Sequence, residues 1–126
     1  MNSEEAHALV ERQARAWGRA DPAAIIADFA RNGAVISPRG CWRGHDALRR
    51  AAESVFAAVS DVQVVVNRVL LEGDQGAAEW TWSETDRADG GRHTVEDAII
   101  FELRDDKLVS WREYFDTAAL RATYRH

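Results

Sequence analysis

One cysteine, two prolines and no apolar run near the ~20 residues of a membrane span remove several protein classes at the outset. Cys41 has no second cysteine to pair with, so no internal disulfide holds the chain, and a reducing, cytoplasmic location is expected. Basic residues are also in deficit. Sixteen Lys and Arg against 21 Asp and Glu give a net charge of −5. The two signs are interspersed, which argues against nucleic acid or a membrane surface as partner. The first residues, Met1-Asn2-Ser3-Glu4-Glu5, are polar and acidic and lack the basic start and apolar run of a signal peptide. No phosphate loop, dinucleotide fingerprint or Gly-x-Ser-x-Gly context occurs around Ser37 or elsewhere. No cofactor is expected. His7, His45 and His93 are scattered, His126 is terminal, and none has metal-ligand spacing, so no metal is expected either.

What is present is an ordinary globular composition, 46 % hydrophobic and 29 % charged over 126 residues, enough for one domain spanning 1–126 with its own core. Ser3, followed by Glu4 and Glu5, predicts a helix start, and Leu9, Val10, Ala14 and Trp17 carry its apolar stripe to about Ala20. Asp21-Pro22 predicts a second helix with Ile25, Ile26 and Phe29 on its face, ending at Asn32-Gly33. Residues 34–37 read as a short strand and 38–44 as a loop. A third helix follows from His45. After Ser60-Asp61 the period becomes strand-like, with strands over 62–72, 77–85, 94–103 and 108–115 and a short terminal helix over 117–124. Helices followed by a strand meander imply α+β, with helices over one face of an antiparallel sheet.

Side-chain alternation then assigns faces. In the strand from Ala77, the set Ala78, Trp80, Trp82 and Glu84 carries the large apolar groups and is placed inward. A two-residue Asp89-Gly90 turn would set Trp82 opposite Asp97 and Trp80 opposite Ile99. Val95, Asp97, Ile99, Phe101 and Leu103 then share the inner face. The last strand has two possible phases, one burying Val109, Trp111, Glu113 and Phe115, the other Leu108, Ser110, Arg112 and Tyr114. Burying an unpaired Arg is costly, so the first is preferred. It requires a three-residue turn with Asp106 in the left-handed region. Three carboxylates, Glu84, Asp97 and Glu113, thus fall among Trp80, Trp82 and Trp111. Packing does not explain them, and a cavity with a polar task does.

The run Glu96 to Asp116 resembles the closing hairpin of SnoaL-like proteins and limonene epoxide hydrolases, where a Trp-Arg-Asp-Tyr-Phe-Asp string is typical. Here it reads Trp111-Arg112-Glu113-Tyr114-Phe115-Asp116. Gly40-Cys41-Trp42-Arg43-Gly44 is a further, weaker match. The chain is similar to the nuclear-transport-factor-2-like superfamily, SnoaL-like branch. The resemblance implies a cone: a curved antiparallel sheet covered on its concave face by three N-terminal helices. It also implies a homodimer through the outer sheet face, for which Val65, Val69, Leu71, Ile100 and Tyr114 would supply apolar contact.

Three relatives supply residue patterns. In epoxide hydrolases of this fold an Asp–Arg–Asp set, with a Tyr and an Asn, activates water. By similarity Glu113 takes one Asp position, whereas Val35, Ser37, Trp80 and Trp82 stand near the others. Ketosteroid isomerase carries an Asp base before a proline and a protonated Asp in its oxyanion hole. Ser37 stands at the first of these positions and Asp97 near the second. SnoaL-type cyclases use a pocket carboxylate as acid or base.

The expected function is a small-molecule pocket protein, a cofactor-free acid–base enzyme of isomerase or cyclase type acting on an apolar carbonyl or polycyclic compound. Asp97 and Glu113 would be the acid–base pair, and Trp17, Phe29, Trp80, Trp82, Ile99 and Trp111 the binding wall. The alternatives are a non-catalytic ligand-binding protein and an epoxide-hydrolase-like enzyme with an altered site. The bland readings place Asp97 in a salt bridge to Arg39, Arg43 or His45, Glu113 on the pocket rim, and Glu84 in solvent at a strand end.

Overall fold

A computed structural model of the chain describes residues 1–124, with side chains as far as Leu120. Helix α1 (Ser3–Gly18) is started by Asn2 rather than Ser3. The Asn2 side chain accepts from Glu5 N at 2.8 Å, and Glu5 Oε1 accepts from Asn2 N at 3.0 Å, a reciprocal capping box. Helix α2 (Pro22–Ala27) has the expected Asp21 cap, with Ala24 N donating to Asp21 Oδ1 at 3.1 Å. It is shorter than its sequence suggests. From Phe29 the chain is already strand β1 (Phe29–Ser37), because Leu108 N donates to Asp28 O and Phe29 pairs with Leu108. That partner lies about eighty residues away in sequence, so local periodicity carries no trace of it.

The expected loop over 38–44 contains strand β2 (Gly40–Arg43), which pairs back onto β1. Helix α3 (His45–Ala58) is followed by β3 (Val59–Glu72), β4 (Gln75–Asp86), β5 (Arg92–Arg104), β6 (Lys107–Tyr114) and helix α4 (Thr117–Tyr124). The six strands form one sheet in the order β2-β1-β6-β5-β4-β3. All neighbours are antiparallel except β1 and β6, which run parallel. The architecture is the expected α+β one, with that parallel pair as a correction to an all-antiparallel sheet.

The hairpins set the site's geometry and depart from expectation in count. Between β4 and β5, a five-residue loop over 87–91 replaces the two-residue turn. Gly90 N donates to Asp86 O, Ala88 N to Asp86 Oδ1 and Gly91 N to Asp89 Oδ1, so a longer loop satisfies its own backbone. Trp80 therefore faces Asp97, Trp82 faces Val95, and Ala78 faces Ile99. The shift is two residues, an even number, so every side chain stays on its assigned face. Between β5 and β6 the turn is two residues, Asp105-Asp106, both at positive φ, 51° and 62°. The phase is corrected by a bulge instead: Leu103 pairs with Leu108 and Glu102 with Ser110, leaving Val109 extra. Leu108 and Trp111 both point inward as a result, and Leu108 rather than Val109 is fully buried.

A similar irregularity in β3, between Val66 and Arg68, reverses the outer-face assignment. Val69 and Leu71 pack toward the core, while Val65, Leu70, Ile100 and Tyr114 are the exposed large apolar residues. Helix α1 packs along β3, and its Leu9, Val10 and Ala14 join Ile25, Phe101, Ile99, Leu108 and Trp111 in one core. Among the described residues no helix is long and apolar enough to cross a membrane.

Candidate functional site

A cavity of about 430 Å³ opens between the sheet's inner face and helices α1 to α3. Of the residues singled out from the sequence, Asp97, Glu113, Trp17, Phe29, Trp82 and Trp111 line it. Trp80 and Ile99 do not reach its surface; both are 0 % exposed and lie behind the lining. Trp80 is nevertheless tied to the site, because its Nε1 donates to Asp97 Oδ2 at 3.1 Å.

Three indole–carboxyl pairs recur along the wall. Besides Trp80 and Asp97, Trp111 Nε1 donates to Glu113 Oε1 at 3.1 Å and Trp82 Nε1 to Glu84 Oε1 at 2.8 Å. The last two join residues i and i+2 of one strand, which alternation puts on one face. Each indole thereby satisfies its donor and orients a carboxyl in apolar surroundings. Asp97 Oδ1 and Glu84 Oε2 are enclosed and accept from no donor.

Asp97 and Glu113 line the same cavity, and each carboxyl acts on the other's proton affinity. Burial foremost, and the neighbouring Glu113 charge next, push the Asp97 carboxyl from an ordinary 3.8 up to about 9. Burial raises Glu113 as well, opposed by the Trp111 indole, by the Asp97 carboxyl and by the positive charge of Arg39. Both carboxyls are thus pushed toward their protonated forms.

The alternative partners for Asp97 are engaged elsewhere. Arg43 donates to Asn32 O at 3.1 Å, His45 Nε2 lies 3.0 Å from Phe29 O, and Arg39 acts on Glu113. Glu84 differs from expectation more sharply: it is 3 % exposed, enclosed by its cross-strand neighbours and by Trp82 rather than solvated. Trp42, Arg39, Arg50, Gln13 and Ser54 also line the cavity and were not assigned from the sequence as pocket wall. Trp42 and Arg39 come from the segment that reads as loop; the only signal was the family-like Gly40 to Gly44 run. Gln13 is 1 % exposed and donates to Ile25 O at 2.9 Å and Asp28 Oδ2 at 3.2 Å, joining α1 to α2 beneath the cavity.

Away from the cavity, Asp86, Asp89 and His93 place ligand-type atoms within 4.8 Å of one another. Asp86 and Asp89 are the side chains that cap the β4–β5 loop.

The family model described as SnoaL-like domain matches residues 10–111. Among curated proteins none matches the chain significantly. Solved structures match over nearly the whole length. A protein of ketosteroid isomerase-like fold from Catenulispora acidiphila, in complex with trimethylamine, is 20 % identical with a TM-score of 0.86, covering 91 % of this chain and 90 % of its own. A candidate SnoaL-like polyketide cyclase from Jannaschia sp. is 17 % identical with a TM-score of 0.84, covering 96 % and 92 %. AclR, a candidate hydroxylase from Streptomyces galilaeus, is 20 % identical with a TM-score of 0.82, covering 96 % of each chain. At these identities the likeness carries the fold and leaves the activity to the site.

Proposed function

Because the chain belongs to the SnoaL-like domain family, we propose that it moves a proton beside the carbonyl of an apolar or polycyclic small molecule, as a cofactor-free isomerase or cyclase. The observation that carries this reading is that Asp97 and Glu113 lie together on the wall of an aromatic cavity, held by the Trp80 and Trp111 indoles. Two carboxyls whose surroundings separate their proton affinities are the usual form of an acid–base assignment.

Glu113, ionised and steadied by Trp111 and Arg39, takes a proton from the carbon next to the carbonyl. Asp97, holding its proton, donates a hydrogen bond to the oxygen as it becomes an enolate. Glu113 then returns the proton to another carbon of the conjugated system, which is isomerisation. Alternatively the enolate carbon attacks a second carbonyl of the same molecule and Asp97 protonates the new alkoxide, which is aldol closure. Trp17, Trp82, Trp111 and Phe29 provide flat apolar contact for such a ring system.

The test is deuterium exchange at the carbon next to the carbonyl of 2-acetylnaphthalene, followed by NMR in heavy water. Catalysed exchange that is lost in Glu113→Gln and reduced in Asp97→Asn is expected. Exchange unchanged in both variants would sink the proposal.

A non-catalytic binding protein of the same fold is the second reading. Ser37 favours it, since this cavity residue stands where the related isomerase has its base. Binding of the naphthalene probe without exchange would select it. A second copy of the chain is proposed to pack on the outer sheet face, where Leu70, Ala77 and Ile100 form one cross-strand row. Cys41 is exposed and free, which suits a reducing, cytoplasmic setting.

A further inference from the structure

Glu84 takes no part in that chemistry, yet it is the third carboxyl of the cavity wall. Its burial needs a reason. An enclosed carboxyl oxygen without a donor is costly, and Trp82 satisfies only Oε1. His93 is directly opposite on β5 but gives Oε2 no hydrogen bond.

The surroundings of Glu84 point to one kind of donor. Trp82 and Trp17 both line the cavity here, their rings 5.4 Å apart and edge to face. Phe56 supports Trp17 from behind at 5.5 Å. Aromatic faces beside a carboxyl with one unpartnered oxygen suit a positively charged nitrogen: the rings attract the charge and the oxygen accepts its N–H. A neutral hydroxyl would satisfy the oxygen and gain little from the rings.

We propose that Glu84, with Trp17 and Trp82, is a second recognition subsite that binds an ammonium group carried by the ligand. The inference rests on the proposed chemistry only in that it places the reacting carbonyl at the other end. Trp80, the residue opposite Asp97, is four positions from Glu84 on the same face of β4. At the rise of an extended strand the two poles stand roughly 13 Å apart along the sheet. The favoured ligand is therefore elongated, with a carbonyl near Asp97 and Glu113 and a basic amine on an arm reaching Glu84.

Calorimetric titration with three 2-acetylnaphthalenes, bearing an aminopropyl, hydroxypropyl or butyl arm at position 6, tests this. Wild type should bind the aminopropyl compound about tenfold more tightly than either neutral one. In Glu84→Gln, which keeps an oxygen for the Trp82 indole, that preference should vanish while the butyl compound binds as before. Equal binding of all three by wild type overturns the subsite and leaves the acid–base reading standing. A preference that survives Glu84→Gln overturns it too. If none of the three binds at millimolar concentration, the pocket reading falls along with it. Should Glu84→Gln fail to fold, the wild-type ranking alone decides. Asp97→Asn should retain the preference, because the two poles act independently.

Discussion

The Trp80 indole N–H reaches across the β4–β5 ladder to Asp97 Oδ2, 3.1 Å away, from a position sealed off from the cavity itself. The residue that orients the acid is thus one the ligand never touches. Trp80→Phe keeps an aromatic ring but removes this donor. A loss of about 1–3 kcal/mol in urea unfolding is expected, from the missing hydrogen bond and the smaller ring. The indole lowers the Asp97 carboxyl, so its loss should push that group further up. A carbon-13 titration of the Asp97 carboxyl in the variant checks the direction; an unchanged or lower midpoint would contradict it.

Stability should decline with alkalinity. Asp97 favours its proton in the fold, rising from 3.8 to about 9. Its contribution is therefore whole below pH 4 and drains away as the pH climbs through 9. Glu113 is also raised and acts in the same sense. Thermal melts at pH 5 and pH 9 should show a drop in wild type that is clearly smaller in Asp97→Asn, which carries no titratable proton there. Equal drops would remove the claim.

The rate of carbon-acid exchange should follow the same pair. Ionisation of Glu113 switches activity on along the acid limb, and deprotonation of Asp97 near pH 9 switches it off. In Asp97→Asn the alkaline fall should disappear while the acid limb remains. An alkaline limb retained in that variant would assign it to another group.

Gly76 tolerates no side chain. A Cβ there would lie 2.2 Å from the Phe101 ring, which is fully buried and cannot step aside. Gly76→Ala should cost about 1–3 kcal/mol or more by overpacking. Gly18→Ala is the control: its Cβ would meet only Val62 O at 3.6 Å, at the end of α1, and it should be neutral or slightly stabilising. Denaturant melts of the two variants should separate widely.

Self-association through the outer face is tested by Ile100→Glu, which sets a charge among Leu70 and Ala77 without touching the core. Sedimentation of wild type at micromolar concentration should give a dimer and the variant a monomer. A monomeric wild type would dispose of the interface.

How much of this the sequence disclosed depended on whether the relevant physics was local. The strict alternation from His93 to Leu103 is written in the residues themselves, and every inward assignment on β5 agrees with the observed burial. The resemblance of residues 96–116 likewise pointed to the family. Strand β1 starts at Phe29 because of a partner in β6, and local spacing could only suggest a longer helix. Bulges in β3 and β6 have no sequence marker here, since neither contains glycine, so Val69, Leu71 and Leu108 were assigned to the wrong face. Glu84 looked solvated because strand ends usually are. Its burial arises from the sheet extending to Asp86, beyond the expected end, which encloses Glu84 next to Trp82 and opposite His93.

Val109 shows how narrow the margin for this chemistry is. It is the single surplus residue opposite Glu102 and Leu103, and downstream of it β6 presents Trp111 and Glu113 to the interior. Let it pair with Glu102 in a regular ladder, with the Asp105-Asp106 turn held, and the strand beyond slips by one residue. Arg112 and Tyr114 would enter the cone while Glu113 faced the outside, leaving Asp97 without its neighbouring carboxyl. The bulging of one otherwise unremarkable valine thus separates an interior with two neighbouring carboxyls from one without, which makes the placement of bulges, as much as residue identity, a thing to inspect when relatives of this shape are compared.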